Sequence, residues 1–123
     1  MNQNILTYIN AKLRDENINY AFLRWNKEIA YPYFVGEYRE LEPTEEDQYH
    51  EYNFTLTGFT RESWSELERA KKTIEDLFDS HTTTLPDGSA VVISYAGSFP
   101  IPIDEGELKK IQIDIKIQEW RVK

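Results

Sequence analysis

The stretch Lys110-Ile111-Gln112-Ile113-Asp114-Ile115-Lys116-Ile117-Gln118 places isoleucine at every second position and a polar or charged residue at each position between. Successive side chains of a strand point to opposite faces, so this is a strand with one face buried and the other wet. Its isoleucines need an apolar cover. Upstream, Trp64, Leu67, Ala70, Ile74, Leu77 and Phe78 recur at helical spacing, while Glu68, Arg69, Lys71, Lys72, Glu75 and Asp76 fill the rest of the helix surface. Ser63-Trp64-Ser65-Glu66 matches the capping box, in which the Ser hydroxyl and the Glu carboxylate each satisfy an unpaired amide at a helix start. A one-sided strand and an amphipathic helix together point to a helix-on-sheet domain.

Outward from that pair, Ile5, Leu6, Ile9 and Leu13 predict a first helix from Asn4 to Arg14, ended by Asn17 and Asn19. Tyr20 to Trp25 reads as extended. Tyr31-Pro32-Tyr33-Phe34-Val35-Gly36-Glu37-Tyr38 is aromatic and β-branched, and its proline fits the start of an edge strand. The acidic run Glu40 to Gln48, with Pro43 and no apolar period, predicts a solvated loop. Tyr52, Phe54 and Leu56 alternate with polar neighbours and predict a half-buried strand. Thr82 to Leu85, a Pro86-Asp87-Gly88 turn and Ala90 to Tyr95 predict a β-hairpin. The resulting class is α+β: two helices packed on one face of a mostly antiparallel β-sheet, in the order α-β-β-β-α-β-β-β. No repeat or linker interrupts it, so residues 1–123 read as a single domain.

Composition narrows the chemistry. Cysteine is absent, which excludes disulfide scaffolds, Cys-based zinc sites and thiol catalysis. Met1 to Tyr20 holds no continuous apolar block, so neither a signal peptide nor a membrane span is expected, and the chain reads as soluble and intracellular. Glycines 36, 58, 88, 97 and 106 are too scattered to cradle a phosphate or dinucleotide. The nearest approach to a metal site is Glu45, Glu46, Asp47, His50 and Glu51, which lacks the glycine turn of a calcium loop and reads as a solvated acidic face. His50 reads as a strand-start residue. His81, after Asp79-Ser80, is placed to cap the negative end of the second helix. No catalytic residue, metal, cofactor or small-molecule substrate is expected.

Binding features are stronger. The chain has 3 Trp, 8 Tyr and 6 Phe, and Tyr20, Phe22, Trp25, Tyr31, Tyr33, Phe34 and Tyr38 crowd its first third. One small core has no room for every ring, and aromatics with a polar handle anchor protein interfaces. Base stacking is the other use of such rings, but a net charge of -8 and the acids beside them disfavour nucleic acid. Ser98-Phe99-Pro100-Ile101-Pro102-Ile103 either projects as a stiff arm presenting Phe99, Ile101 and Ile103 or folds back as a broad loop on its own sheet. Charge is polarised as well. Residues 37–51 carry a net -6, through Glu40, Glu42, Glu45, Glu46 and Asp47 among others, and residues 109–123 a net +3, through Lys109, Lys110, Lys116 and Arg121 among others. Unlike patches on one chain suit head-to-tail association, whose closure yields a ring; two solvated faces are the alternative.

The element order, with the strand Tyr31-Pro32-Tyr33-Phe34-Val35-Gly36, the strand Tyr52-Asn53-Phe54-Thr55-Leu56-Thr57-Gly58 and the helix opened by Ser63-Trp64-Ser65-Glu66, resembles the bacteriophage tail terminator family, also called tail-completion or tail-to-head joining proteins. The resemblance implies a virion structural protein of phage or prophage, made in the host cytoplasm, that assembles as a homo-oligomeric, usually hexameric, ring. Such a ring caps the tail tube protein and offers the head connector or neck protein a docking surface, with DNA only as passing cargo. In that frame Tyr31, Tyr33, Phe99, Ile101 and Ile103 would bridge subunits or tube. Lys109, Lys110, Lys116 and Arg121 would meet the acidic loop of a neighbour, unless Glu40, Glu42, Glu45, Glu46 and Asp47 line the lumen and repel phosphates. Three other readings stay open: a neck or minor capsid protein of the same module, an acidic immunity-type protein that blocks a basic partner, and a small enzyme built on His50 and its neighbouring carboxylates.

Overall fold

The computed structural model describes residues 1–42, 49–103 and 106–121. Two helices and six strands follow in the order α1 (Gln3–Asp15), β1 (Tyr20–Phe22), β2 (Tyr33–Glu40), β3 (His50–Thr60), α2 (Trp64–Phe78), β4 (His81–Thr84), β5 (Ala90–Ile101) and β6 (Lys109–Trp120). The strands form one sheet in the spatial order β1-β2-β3-β6-β5-β4. The fold is α+β, but the sheet is mixed: β1 runs parallel to β2, because the excursion from Leu23 to Pro32 brings the chain back before β2 begins. The remaining pairings are antiparallel. The expected edge strand at Tyr31 is therefore not an edge at its start, since β1 covers Phe34 to Gly36.

The centre of the sheet is the long pairing of β3 with β6, continuous from His50 opposite Glu119 to Thr60 opposite Lys109. Tyr52, Phe54 and Leu56 of β3 share its inner face with Ile111, Ile113, Ile115 and Ile117 of β6, and all are buried. Ile5, Ile9 and Leu13 of α1 and Leu67, Ile74 and Phe78 of α2 complete the same core, so both helices cover one face. Two glycines let large rings close over the sheet. A Cβ at Gly58 would lie 2.3 Å from the Phe34 ring, and one at Gly36 would lie 2.7 Å from the Tyr20 ring.

The helix ends differ from each other. Asn2 caps α1 by accepting a 2.9 Å bond from the Asn4 amide, and Asn17, in the left-handed region at φ 59°, ends it as the Ile18 amide bonds back to the Leu13 carbonyl at 2.9 Å. At α2 the expected capping box does not form. The Ser63 hydroxyl faces Ser65 Oγ at 3.0 Å instead of an amide, and the Glu66 carboxylate is shared with Glu62, whose carboxyl it holds above the usual range. His81 does not cap α2 either. The helix stops at Asp79, Ser80 turns left-handed at φ 54°, and His81 opens β4, its Nε2 hydrogen-bonded to the Tyr8 hydroxyl of α1.

The proline-rich segment is not a projecting arm. Ser98 to Ile101 continue β5 and pair with β6 as far as Ile101 opposite Lys110. Pro100 is tolerated because this half of β5 has no second neighbour among the described residues; β4 covers only Ala90 to Ile93. A bulge falls between Tyr95 and Gly97, where β5 advances two residues against one of β6. From there the alternation is inverted: Ser98 and Pro100 stand opposite Ile113 and Ile111, so Phe99 and Ile101 turn to the outer face.

Candidate interaction surface

The outer face of the sheet is uncovered by helix, and its cross-strand registers place several of the expected interface residues side by side. One row runs Ile101, Lys110, Phe59, Tyr33 across β5, β6, β3 and β2; the next runs Phe99, Gln112, Thr57, Val35. Directly opposed side chains on one face are near neighbours. Tyr33 stacks on Phe59 with ring centres 5.1 Å apart, and Lys110 Nζ sits 5.5 Å from the centre of the Phe59 ring. The loop after β1 folds Trp25 onto the other side of Tyr33 at 4.7 Å, and Tyr31 approaches it at 5.9 Å.

Trp25, Tyr33 and Phe59 line a groove of about 350 Å³ together with Arg24, Lys110 and Glu37. Burial and the neighbouring Tyr31 push the Tyr33 phenol up, with Arg61 opposing. The indole Nε1 of Trp25 is buried and has no hydrogen-bond partner among the described residues. Leu23 beside the groove is 65% exposed, and Phe99 is 46% exposed. An aromatic groove with Arg24 and Lys110 in its lining, next to exposed apolar side chains, can hold an extended apolar segment of opposite charge.

The basic residues of β6 and its end do not form one patch. Lys110 and Lys116 face outward, but Lys116 is paired with Glu51 at 3.2 Å within the subunit. Lys109 stands opposite the buried Thr60, and its Nζ bonds the Glu107 carbonyl. Arg121 belongs to a polar cluster under the sheet: Glu119, fully buried, accepts bonds from Tyr52 Oη and Asn2 Nδ2 at 2.9 Å each and from Arg121 Nε at 3.3 Å. Arg121 Nη2 also donates to Tyr52 Oη at 3.1 Å. Burial and the Glu119 carboxylate push the Tyr52 phenol up to about 12.

Of the acidic residues, Glu40 ends β2 rather than lying in a loop and contacts His50 at 3.7 Å, where β3 begins as expected. Glu42 is exposed just beyond the strand, and Glu45, Glu46 and Asp47 lie outside the described residues. Ile103 is half-buried in the connection after β5. Among the described residues no group of three or more His, Cys, Asp and Glu could hold a metal ion, and no helix is long and apolar enough to cross a membrane. A second cleft of about 430 Å³ lies between α1 and β1, lined by Gln3, Leu6, Thr7, Asn10, residues 20–22, Asn26 and Lys27.

Sequence reading singled out Trp25 among the clustered aromatics, but it missed Arg24 and Phe59 as groove residues. Phe59 carries a usable signal, because it sits in the wet phase of β3 with Thr55 and Thr57. What brings Trp25 to Tyr33 is the fold of its loop, which the linear pattern does not show.

No family model and no curated protein matches the chain. Sixteen chains of known structure match it. One of them, whose name states no function, superposes with a TM-score of 0.75 over 100% of this chain and 98% of its own, at 11% sequence identity. That likeness is one of fold.

Proposed function

We propose that this chain is a virion structural protein of the tail terminator type, which caps a phage tail tube as a ring and provides the tail-to-head joining surface. The observation that carries the reading is the outer face uncovered by helix, where Tyr33, Phe59, Phe99 and Ile101 fall in adjacent rows beside Lys110, Gln112 and Thr57. A protein that works by capping needs such a surface and needs no reaction centre. The finer arrangement, two helices over one face of a largely antiparallel sheet in the order α-β-β-β-α-β-β-β, is part of the same proposal.

Within it, the outer face meets neighbouring copies or the tube end. Glu40 and Glu51 have partners inside the subunit, which favours the lumen over the interface for the remaining acids of residues 37–51, where they repel passing DNA. The partners are copies of the chain, the tail tube protein and a head connector or neck protein, and the site of action is the virion. The test is to add the purified chain to polymerising tube protein from the same genome and image the products by negative stain. Tubes that stop growing and carry a ring at one end are expected. Tubes of unchanged length without terminal density would overturn the reading.

A further inference from the structure

The edge strands β1 and β4 span only 3 and 4 residues, and the strands inside them are blunted where they run past them. Beyond Gly36, β2 has no outer neighbour among the described residues, and Glu37, Tyr38, Arg39 and Glu40 are exposed there. Beyond Ile93, β5 has among the described residues only β6 beside it, and it carries Pro100, which lacks an amide proton. Charge and proline on an open edge block pairing with another strand. The apolar surface that remains is the outer face, and it has two unlike halves. One is the groove of Trp25, Tyr33 and Phe59. The other is Phe99 and Ile101, turned outward by the bulge and continuing into Pro102 and Ile103.

The two halves complement each other. Aromatic grooves suit extended, proline-containing segments, whose fixed backbone loses little freedom on docking. Residues 98–107 contain two prolines, three acids and no base, opposite in sign to Arg24 and Lys110, which outnumber Glu37 in the groove lining. Within one subunit they cannot meet, because β6 holds β5 a strand away from β3.

We infer that the groove of Trp25, Tyr33 and Phe59 receives the Phe99 to Ile103 segment of a second copy of this chain. The inference rests on the proposed function only in requiring that copies associate, and it names the contact. Because unlike surfaces meet, copies can join head to tail, and a suitable rotation closes them into a ring.

The test uses the isotope-labelled full chain and a synthetic peptide of residues 98–107. The peptide is expected to move the Trp25 indole resonance, and its Phe99→Ala form to bind about tenfold more weakly or worse. In sedimentation, Phe99→Ala and Trp25→Ala should each weaken self-association to a similar degree. An equimolar mixture of the two should recover pairs but nothing larger, since one intact groove meets one intact segment. Trp25→Leu, which keeps an apolar side chain and removes the ring, serves if Trp25→Ala does not fold. An unmoved indole resonance, or equal binding of an unrelated proline-rich peptide, overturns the inference. Association that persists unchanged in both variants also overturns it while leaving the capping function standing. Peptide capture by a chain that fails to cap tubes supports the contact and removes the function.

Discussion

At the scale of single residues, the sheet depends on places where side chains are absent or buried against rule. Phe34 lies directly over Gly58, its cross-strand partner, so Gly58→Ala has no room and should cost about 1–3 kcal/mol in a denaturant titration. Glu119 is a buried carboxylate whose partners are Tyr52, Asn2 and Arg121. Tyr52→Phe removes one donor while leaving the acid in place, and about 1–3 kcal/mol of stability should go with it. His81 adds a pH dependence. Burial, with Lys12 nearby, holds its imidazole below the usual value of 6.5, so the unfolded chain binds that proton more readily. The contribution is complete above 6.5 and lost as pH falls through the lower folded value. Thermal midpoints should therefore drop as pH falls below 6.5, and His81→Asn should flatten that part of the curve. None of these three was legible beforehand. The alternation in Lys110 to Gln118 marks the isoleucines as buried, but its extension to Glu119 puts a charge on the same face, and only the approach of Asn2 and Tyr52 explains how that charge is kept.

At the scale of elements, periodicity located both helices and the central strands because each has one apolar face, and burial follows that face residue by residue. Caps and bulges were less legible, since they depend on neighbours in space. Asn2 makes its cap bond to Asn4 and also donates to Glu119 and Asp87. Ser63 makes no side-chain cap bond. Asn2→Ala should thus cost about 1–2 kcal/mol and Ser63→Ala less than about 0.5 kcal/mol, measured side by side by thermal or chemical unfolding. The bulge near Ala96 is the element that turns Phe99 and Ile101 outward, and nothing in the linear pattern of Ser94 to Ile101 announces it. Deleting Ala96 should restore plain alternation and drive Phe99 and Ile101 toward the core. The expected result is a lower midpoint together with loss of self-association.

For the whole molecule, the parallel placement of β1 and the assembly of the outer groove lay beyond sequence reading, because both depend on the path of the loop from Leu23 to Pro32. The aromatic excess of the first third was legible; its use was not. Charge polarity was legible too, yet Lys116 and Arg121 turn out to be tied to Glu51 and Glu119 within the subunit, so long-range charge pairing contributes less to association than the linear sequence suggests. What remains is an apolar face between two protected edges. If that face is how the molecule works, sedimentation velocity of the unaltered chain across a rising concentration series should show monomer giving way to larger species that end in one closed ring. A single monomeric species at every concentration would contradict the account.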